Sequence, residues 1–136
     1  MTISMTAALL GFGAVTLFAL GIEIMYTYAT QGIGFGFSSN RPAVTLSPLG
    51  RRIGRAYVNQ VEAAAYVVPV LAAAAFLGVN SPAAQLAAMA IVAGRAWFVL
   101  FYYTGLPFVR LIGFLGGSMG TLVVAILTAQ AVLATP

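Results

Sequence analysis

The sequence predicts an all-α membrane protein, built as an up-down bundle of four transmembrane helices in a single domain over residues 1–136. Of its residues, 62% are hydrophobic and only 6% are charged, whereas a soluble domain carries about 25% charged residues. Four apolar segments are each long enough to cross about 30 Å of hydrocarbon as a helix. Clusters of Gly, Pro and Ser separate these segments, which is typical of turns between helices.

The first helix is expected over about residues 5–28, which are apolar apart from Glu23 and several hydroxyl groups. A cleaved signal peptide would also contain an apolar run, but no basic residue precedes this one and no small-residue cleavage site follows it. Residues 29–52 then hold several Gly, Ser, Asn and Pro residues. We therefore expect one long loop here, and long loops are often functional.

The other three helices are expected over about residues 53–77, 82–104 and 108–133. Gly78 follows the second helix, and Ser81 and Pro82 provide an N-cap and a first helical residue for the third. The second and third helices should therefore be antiparallel neighbours. The fourth helix carries overlapping Gly-x-x-x-Gly pairs, which allow another backbone to approach closely; its glycines are Gly113, Gly116, Gly117 and Gly120.

The distribution of basic residues predicts the orientation in the membrane. Arg41, Arg51 and Arg52 lie in the first loop and Arg110 lies beside the last connection, while the turn after the second helix and both termini have no basic side chain. The positive-inside rule places the Arg-bearing end in the cytoplasm and both termini on the other side. The short loops and the lack of a targeting segment favour a multi-pass protein of a bacterial inner membrane.

The composition also limits the chemistry. The chain has no Cys, His or Lys, which excludes disulfides, thiolate or imidazole metal ligands and the usual general base. We therefore expect no metal site. The net charge of +4 does not come from a basic face interleaved with aromatic residues, so nucleic-acid binding is not indicated. Anionic lipid or an anionic small molecule is the better match for this charge.

A polar stripe runs along the second helix. Arg55, Asn59, Glu62 and Tyr66 follow one another at helical spacing. Arg95 on the third helix is expected at a depth similar to that of Glu62, so the two side chains can pair and lower the cost of burying charge in lipid. Two interpretations remain open: a structural clamp between helices, or a pocket in which Arg side chains grip an anionic ligand.

These residues resemble the signature of the MAPEG family, the membrane-associated proteins in eicosanoid and glutathione metabolism. The resemblance begins with Ser47-Pro48-Leu49-Gly50-Arg51-Arg52 and continues with Arg55, Asn59 and Glu62. Arg95, Tyr102 and Arg110 complete it, and it covers essentially the whole chain. Two positions depart from the family pattern, since Phe98 stands where a Tyr is common and the helical Pro is at position 69.

The resemblance implies a homotrimer that binds glutathione between subunits near the cytoplasmic face. Carried over by position, the residues that hold glutathione are Arg55, Asn59, Glu62, Arg95 and Tyr102. The resemblance further implies that Arg110, with Tyr102, acts at the sulfur as a catalytic residue. The implied activity is a glutathione-dependent transferase or peroxidase that acts on lipophilic electrophiles or hydroperoxides.

Two other functions fit the same sequence. The chain could be a non-catalytic accessory subunit, or a lipid-binding protein, of a larger membrane complex that it contacts through its Gly-rich fourth helix. A proton or ion pathway through Glu23, Glu62 and Arg95 is disfavoured, because all three charges are expected in one half of the membrane.

Overall fold

The computed structural model describes residues 3–134, and these residues form five helices. They are α1 (Met5–Gln31), α2 (Ile33–Phe37), α3 (Pro48–Phe76), α4 (Pro82–Thr104) and α5 (Pro107–Ala134). All except α2 are long and apolar enough to cross a membrane. The all-α prediction with four spanning helices is confirmed, and the protein is an integral multi-pass membrane protein.

The helix ends follow from local capping. Ser47 accepts a hydrogen bond from the backbone nitrogen of Gly50 at 3.0 Å, and Ser81 caps α4 in the same way. Gly78 and Gly105 close the two turns with φ of +66° and +80°, which favours glycine. Because Ser47 caps a helix with Pro48 at its start, α3 begins at Pro48 and not at about residue 53. This earlier start places Arg51 and Arg52 on the helix.

The bundle has α3 and α4 at its centre. Each of these two helices packs against the other and against both α1 and α5, whereas α1 and α5 do not meet in the described part of the chain. Phe12, Leu71, Ile91 and Val124 form much of the buried core. On the outside, large apolar side chains are freely exposed, as expected for a surface that faces lipid.

The closest helix contact joins α4 to α5 through glycine. A Cβ atom on Gly94 would lie 2.6 Å from the backbone nitrogen of Gly117, and one on Gly113 would lie 2.6 Å from the carbonyl oxygen of Gly94. Gly120 approaches the carbonyl oxygen of Ala87 in the same manner. The glycine face of the last helix therefore packs against its own chain, and it is not free to contact another protein.

The short helix α2 lies inside the segment that was expected to be a loop without regular structure. Three side chains hold it: the ring of Phe37 stacks on that of Tyr28 at 6.2 Å, and Arg41 donates to the carbonyl oxygen of Gly36 at 2.6 Å. Its sequence, Ile33-Gly34-Phe35-Gly36-Phe37, is rich in glycine, which disfavours a helix. Tertiary contacts therefore override a weak local preference.

Candidate functional site

The start of α3 is fixed against α1. The hydroxyl groups of Tyr26 and Ser47 are hydrogen-bonded at 2.6 Å, and the absence of a side chain at Gly50 makes room for the ring of Tyr26. The N-cap of α3 is thus anchored to the end of α1. This contact sets the position of the basic residues on the first two turns of α3.

A basic cavity of about 400 Å³ lies beside these turns. Its wall consists of side chains from α3, α4 and α5: Pro48, Arg51, Arg52, Arg55, Tyr102 and Arg110. Arg110 reaches it because α5 begins at Pro107, directly after the turn that ends α4. The cavity therefore gathers four guanidinium groups from two helices.

Each guanidinium group of the basic cavity retains free hydrogen-bond donors. Arg51 donates to the carbonyl oxygen of Leu46 at 2.8 Å, and Arg52 donates to that of Tyr103 at 3.3 Å. Arg110 lies over the ring of Tyr102 at 4.4 Å, a cation–π contact that leaves its N–H groups available. A guanidinium offers five N–H donors in a planar fork, which suits carboxylate and phosphate groups.

A second, apolar cavity of about 410 Å³ adjoins the basic one. Tyr102 and Arg110 belong to the walls of both cavities. The remainder of the second wall is mainly aromatic and aliphatic: Asn59, Phe98, Pro107, Phe108, Leu111 and Phe114. A polar ligand group and an apolar one could therefore lie side by side, with Tyr102 and Arg110 between them.

Arg95 lies in the centre of the bundle and is only 1% exposed. Its Nε donates to Oε1 of Gln60 at 2.9 Å, and one terminal nitrogen donates to both the carbonyl oxygen and Oδ1 of Asn59 at 3.1 Å. Gln60 in turn donates to the hydroxyl of Thr16 at 3.1 Å, and that hydroxyl donates to the carbonyl oxygen of Phe12 at 2.9 Å. The network connects α4, α3 and α1.

The prediction that Arg95 pairs with Glu62 is wrong. Arg95 bonds to Gln60 and Asn59, while Glu62 is exposed on the outer side of α3. Successive residues of a helix are turned by about 100°, so Gln60 and Glu62 point in nearly opposite directions. Among residues 3–134, Glu62 has no hydrogen-bond or ion-pair partner. The outer side of α3 also bears Arg55 and Tyr66, so the predicted polar stripe is open to the surroundings of a single chain.

The structure thus divides the predicted site residues into three groups. Arg55, Tyr102 and Arg110 line the basic cavity, and Asn59 lines the adjoining apolar cavity. Arg95 is enclosed in the core, and Glu62 lies on the outer face of α3. Sequence reasoning overlooked Gln60, although a glutamine inside an apolar span is itself a signal of a buried partner. Arg51 and Arg52 were expected in the first loop and were given no ligand, and the structure places both at the wall of the basic cavity.

Comparison with known proteins adds one match. The model of the MAPEG family matches residues 6–130. No match was found among curated proteins. The matched range includes all of α3 and α4, all but the first residue of α1 and all but the last four residues of α5, together with every side chain of the two cavities.

Proposed function

The chain belongs to the MAPEG family, and we propose that it is a glutathione-dependent transferase or peroxidase acting on lipophilic electrophiles or hydroperoxides. Membership of this family is consistent with such roles. The observation that carries the proposal is the pair of adjoining cavities, one basic and one apolar, that share Tyr102 and Arg110.

In this proposal the basic cavity binds the tripeptide. Glutathione has two carboxylates, and Arg55 with the neighbouring guanidinium groups offers the fork geometry that binds them. The thiol lies toward the wall that both cavities share. There Arg110 stabilises the thiolate by its charge, and the hydroxyl of Tyr102 donates a hydrogen bond to it. A lipophilic electrophile in the apolar cavity then lies within reach of the sulfur.

The chemistry needs little from the protein besides position and charge. With an electrophile, the thiolate forms the new bond to sulfur and the leaving group departs with the bonding electrons. With a hydroperoxide, the thiolate attacks the terminal oxygen and releases the alcohol, and a second glutathione then reduces the resulting sulfenic acid to give the disulfide and water. The chain has no Cys or His, so glutathione supplies the nucleophile and the protein lowers the free energy of its ionised form. This is nucleophile activation by a neighbouring cation.

Glu62 and Arg95 line neither cavity, so their roles in this proposal differ from those of the cavity residues. Glu62 lies on the exposed outer face of α3, where it can accept a hydrogen bond from the ammonium group of a glutathione molecule that is held against this face by a second copy of the chain. As the resemblance to the MAPEG family implies, we propose that the assembly is a homotrimer with glutathione between subunits, and that the Arg-bearing end lies in the cytoplasm. Arg95 is enclosed in the single chain and bonds to Asn59, so its contribution is to hold Asn59 at the wall of the apolar cavity.

Calorimetric binding of glutathione to the purified protein tests the first half of the proposal. Arg55→Ala should weaken binding strongly, because one of the carboxylate partners is lost. Arg41→Ala is the matched control, since Arg41 bonds to the carbonyl oxygens of Gly36 and Ser38 and lines neither cavity. Equal binding by wild type and both variants would remove the basic cavity as the glutathione site.

Turnover of an electrophilic aryl halide and of an organic hydroperoxide tests the second half. Arg110→Ala should lower kcat by about 10²-fold, the loss typical when one stabilising donor at a developing charge is removed. Native mass spectrometry should show that the assembly is unchanged. An intact assembly with unaltered turnover would count against the assignment of Arg110.

A further inference from the structure

The charge of the basic cavity exceeds what glutathione can balance. Four guanidinium groups line the cavity, and the chain has only two acidic residues, Glu23 and Glu62, neither of which lines it. Glutathione has two carboxylates and one ammonium group, so even as a thiolate its net charge is only minus two. Because like charges gathered at the membrane repel one another, the cavity attracts anions other than glutathione.

The cavity lies where lipid headgroups lie. Its residues come from the first turns of α3 and α5 and the last turn of α4, which are the ends of three helices long enough to span a bilayer. Spanning helices end in the headgroup region, and basic residues there attract anionic lipid. A phosphate at this depth can therefore reach the basic cavity without leaving the bilayer.

The adjoining apolar cavity gives the acyl chain of such a lipid a path. It shares Tyr102 and Arg110 with the basic cavity, and Phe108 and Leu111 lie on its wall. Phe108 is 81% exposed and Leu111 is 46% exposed, so this cavity opens toward the hydrocarbon. A headgroup and its acyl chain are joined by a short polar linkage, which matches the arrangement of one basic and one apolar cavity with a common wall.

We propose that the two cavities together form a binding site for an anionic phospholipid. The phosphate binds between Arg51, Arg52 and Arg55, and the acyl chain extends past Arg110 and Tyr102 along the apolar wall. This binding does not require glutathione. If the proposed glutathione site is also correct, the lipid and the tripeptide compete for the same guanidinium groups, so glutathione affinity falls as the anionic lipid fraction rises.

Lipid retention measured by native mass spectrometry tests this site. The full chain is reconstituted in nanodiscs of phosphatidylcholine that contain a series of phosphatidylglycerol fractions. The protein is then released from the nanodiscs in the mass spectrometer, and the lipid molecules that remain bound to it are counted. We expect wild type to retain phosphatidylglycerol over phosphatidylcholine. Arg51→Gln and Arg55→Gln should each reduce that preference about fivefold, as expected for one interfacial charge, whereas Arg41→Gln should leave it unchanged.

Three results would overturn the proposal: no preference in wild type, an equal loss in Arg41→Gln, or full displacement of the lipid by glycerol phosphate at matched concentration. The last result would show that the cavity binds a free phosphate and not a lipid. High salt tests the site without any substitution: because salt screens the charges, the preference for phosphatidylglycerol over phosphatidylcholine should fall as the salt concentration rises. Since glutathione is absent throughout, failure of the lipid site and failure of the glutathione site are separate results.

Discussion

Gln60→Leu should be among the most destabilising polar substitutions in this protein. Gln60 is fully buried and accepts a hydrogen bond of 2.9 Å from the guanidinium of Arg95. A hydrogen bond to a charged group contributes about 1.5–3 kcal/mol. The bond from Gln60 to Thr16 adds about 0.6 kcal/mol, the average for neutral bonds between membrane helices. We therefore expect a loss of about 2–4 kcal/mol in the free energy of unfolding.

Two further variants separate the contributions. Thr16→Val keeps the shape of the side chain but removes two neutral bonds, the one from Gln60 and the one to the carbonyl oxygen of Phe12, so it should cost about 1 kcal/mol. The double variant Gln60→Leu with Arg95→Met removes the buried charge together with its acceptor. Its loss of stability should therefore be smaller than the sum of the losses in the two single variants, because each single variant leaves one polar side chain buried without its partner and the double variant does not.

The assay is unfolding of the protein in mixed micelles by titration with dodecyl sulfate. Fluorescence of Trp97, the single tryptophan, reports on the transition, since its indole nitrogen donates to the carbonyl oxygen of Val109 at 2.8 Å across α4 and α5. A cost for Gln60→Leu no larger than that of Thr16→Val would refute the charge-assisted bond. Strict additivity in the double variant would refute the coupling.

Two other substitutions probe the packing that positions the site. Gly113→Ala should lower the free energy of unfolding by about 2–4 kcal/mol, because the new methyl group would lie 2.6 Å from the backbone of Gly94. Gly21→Ala is the control: its methyl group would meet nothing within 4 Å, and the variant should gain about 0.5–1 kcal/mol in helix propensity. Similar effects at both positions in the same unfolding assay would contradict this. Ser47→Ala should cost about 1 kcal/mol through loss of the α3 cap and of the bond to Tyr26. Hydrogen exchange should then rise in the first turn of α3 alone, and an unchanged exchange rate there would show that the cap does not anchor the helix.

Much of the architecture could be predicted from local sequence. Four long apolar segments are expected to be helices in lipid, because a helix satisfies the hydrogen bonds of its own backbone N–H and C=O groups. Gly78, Ser81 and Pro82 mark a turn by chemistry that acts within a few residues. The start of α3 was missed because its first turn is as polar as a loop, and only the Ser47 cap distinguishes the two.

The candidate site was only partly predictable. Arg55 belongs to a polar stripe that is visible in the sequence, whereas Tyr102 and Arg110 were assigned to the site by the resemblance to the MAPEG family. That Arg51 and Arg52 join them in one cavity depends on how α3 meets the turn after α4. Gly105 at that turn lies so close to the Arg52 guanidinium that a Cβ atom there would be 2.6 Å from its Cζ.

The sequence by itself determined which side chains had to find partners within the membrane, and tertiary structure decided which partners they found. Arg95 could have met Glu62 or Gln60, since both lie on α3 at similar depth. The rotation of α3 about its axis selects between them, and packing sets that rotation: Ala56, Ala63 and Val67 turn inward with Gln60, which leaves Glu62 on the outer face. Helical spacing relates these positions to one another, but only contact with α1 and α4 determines which side faces the core.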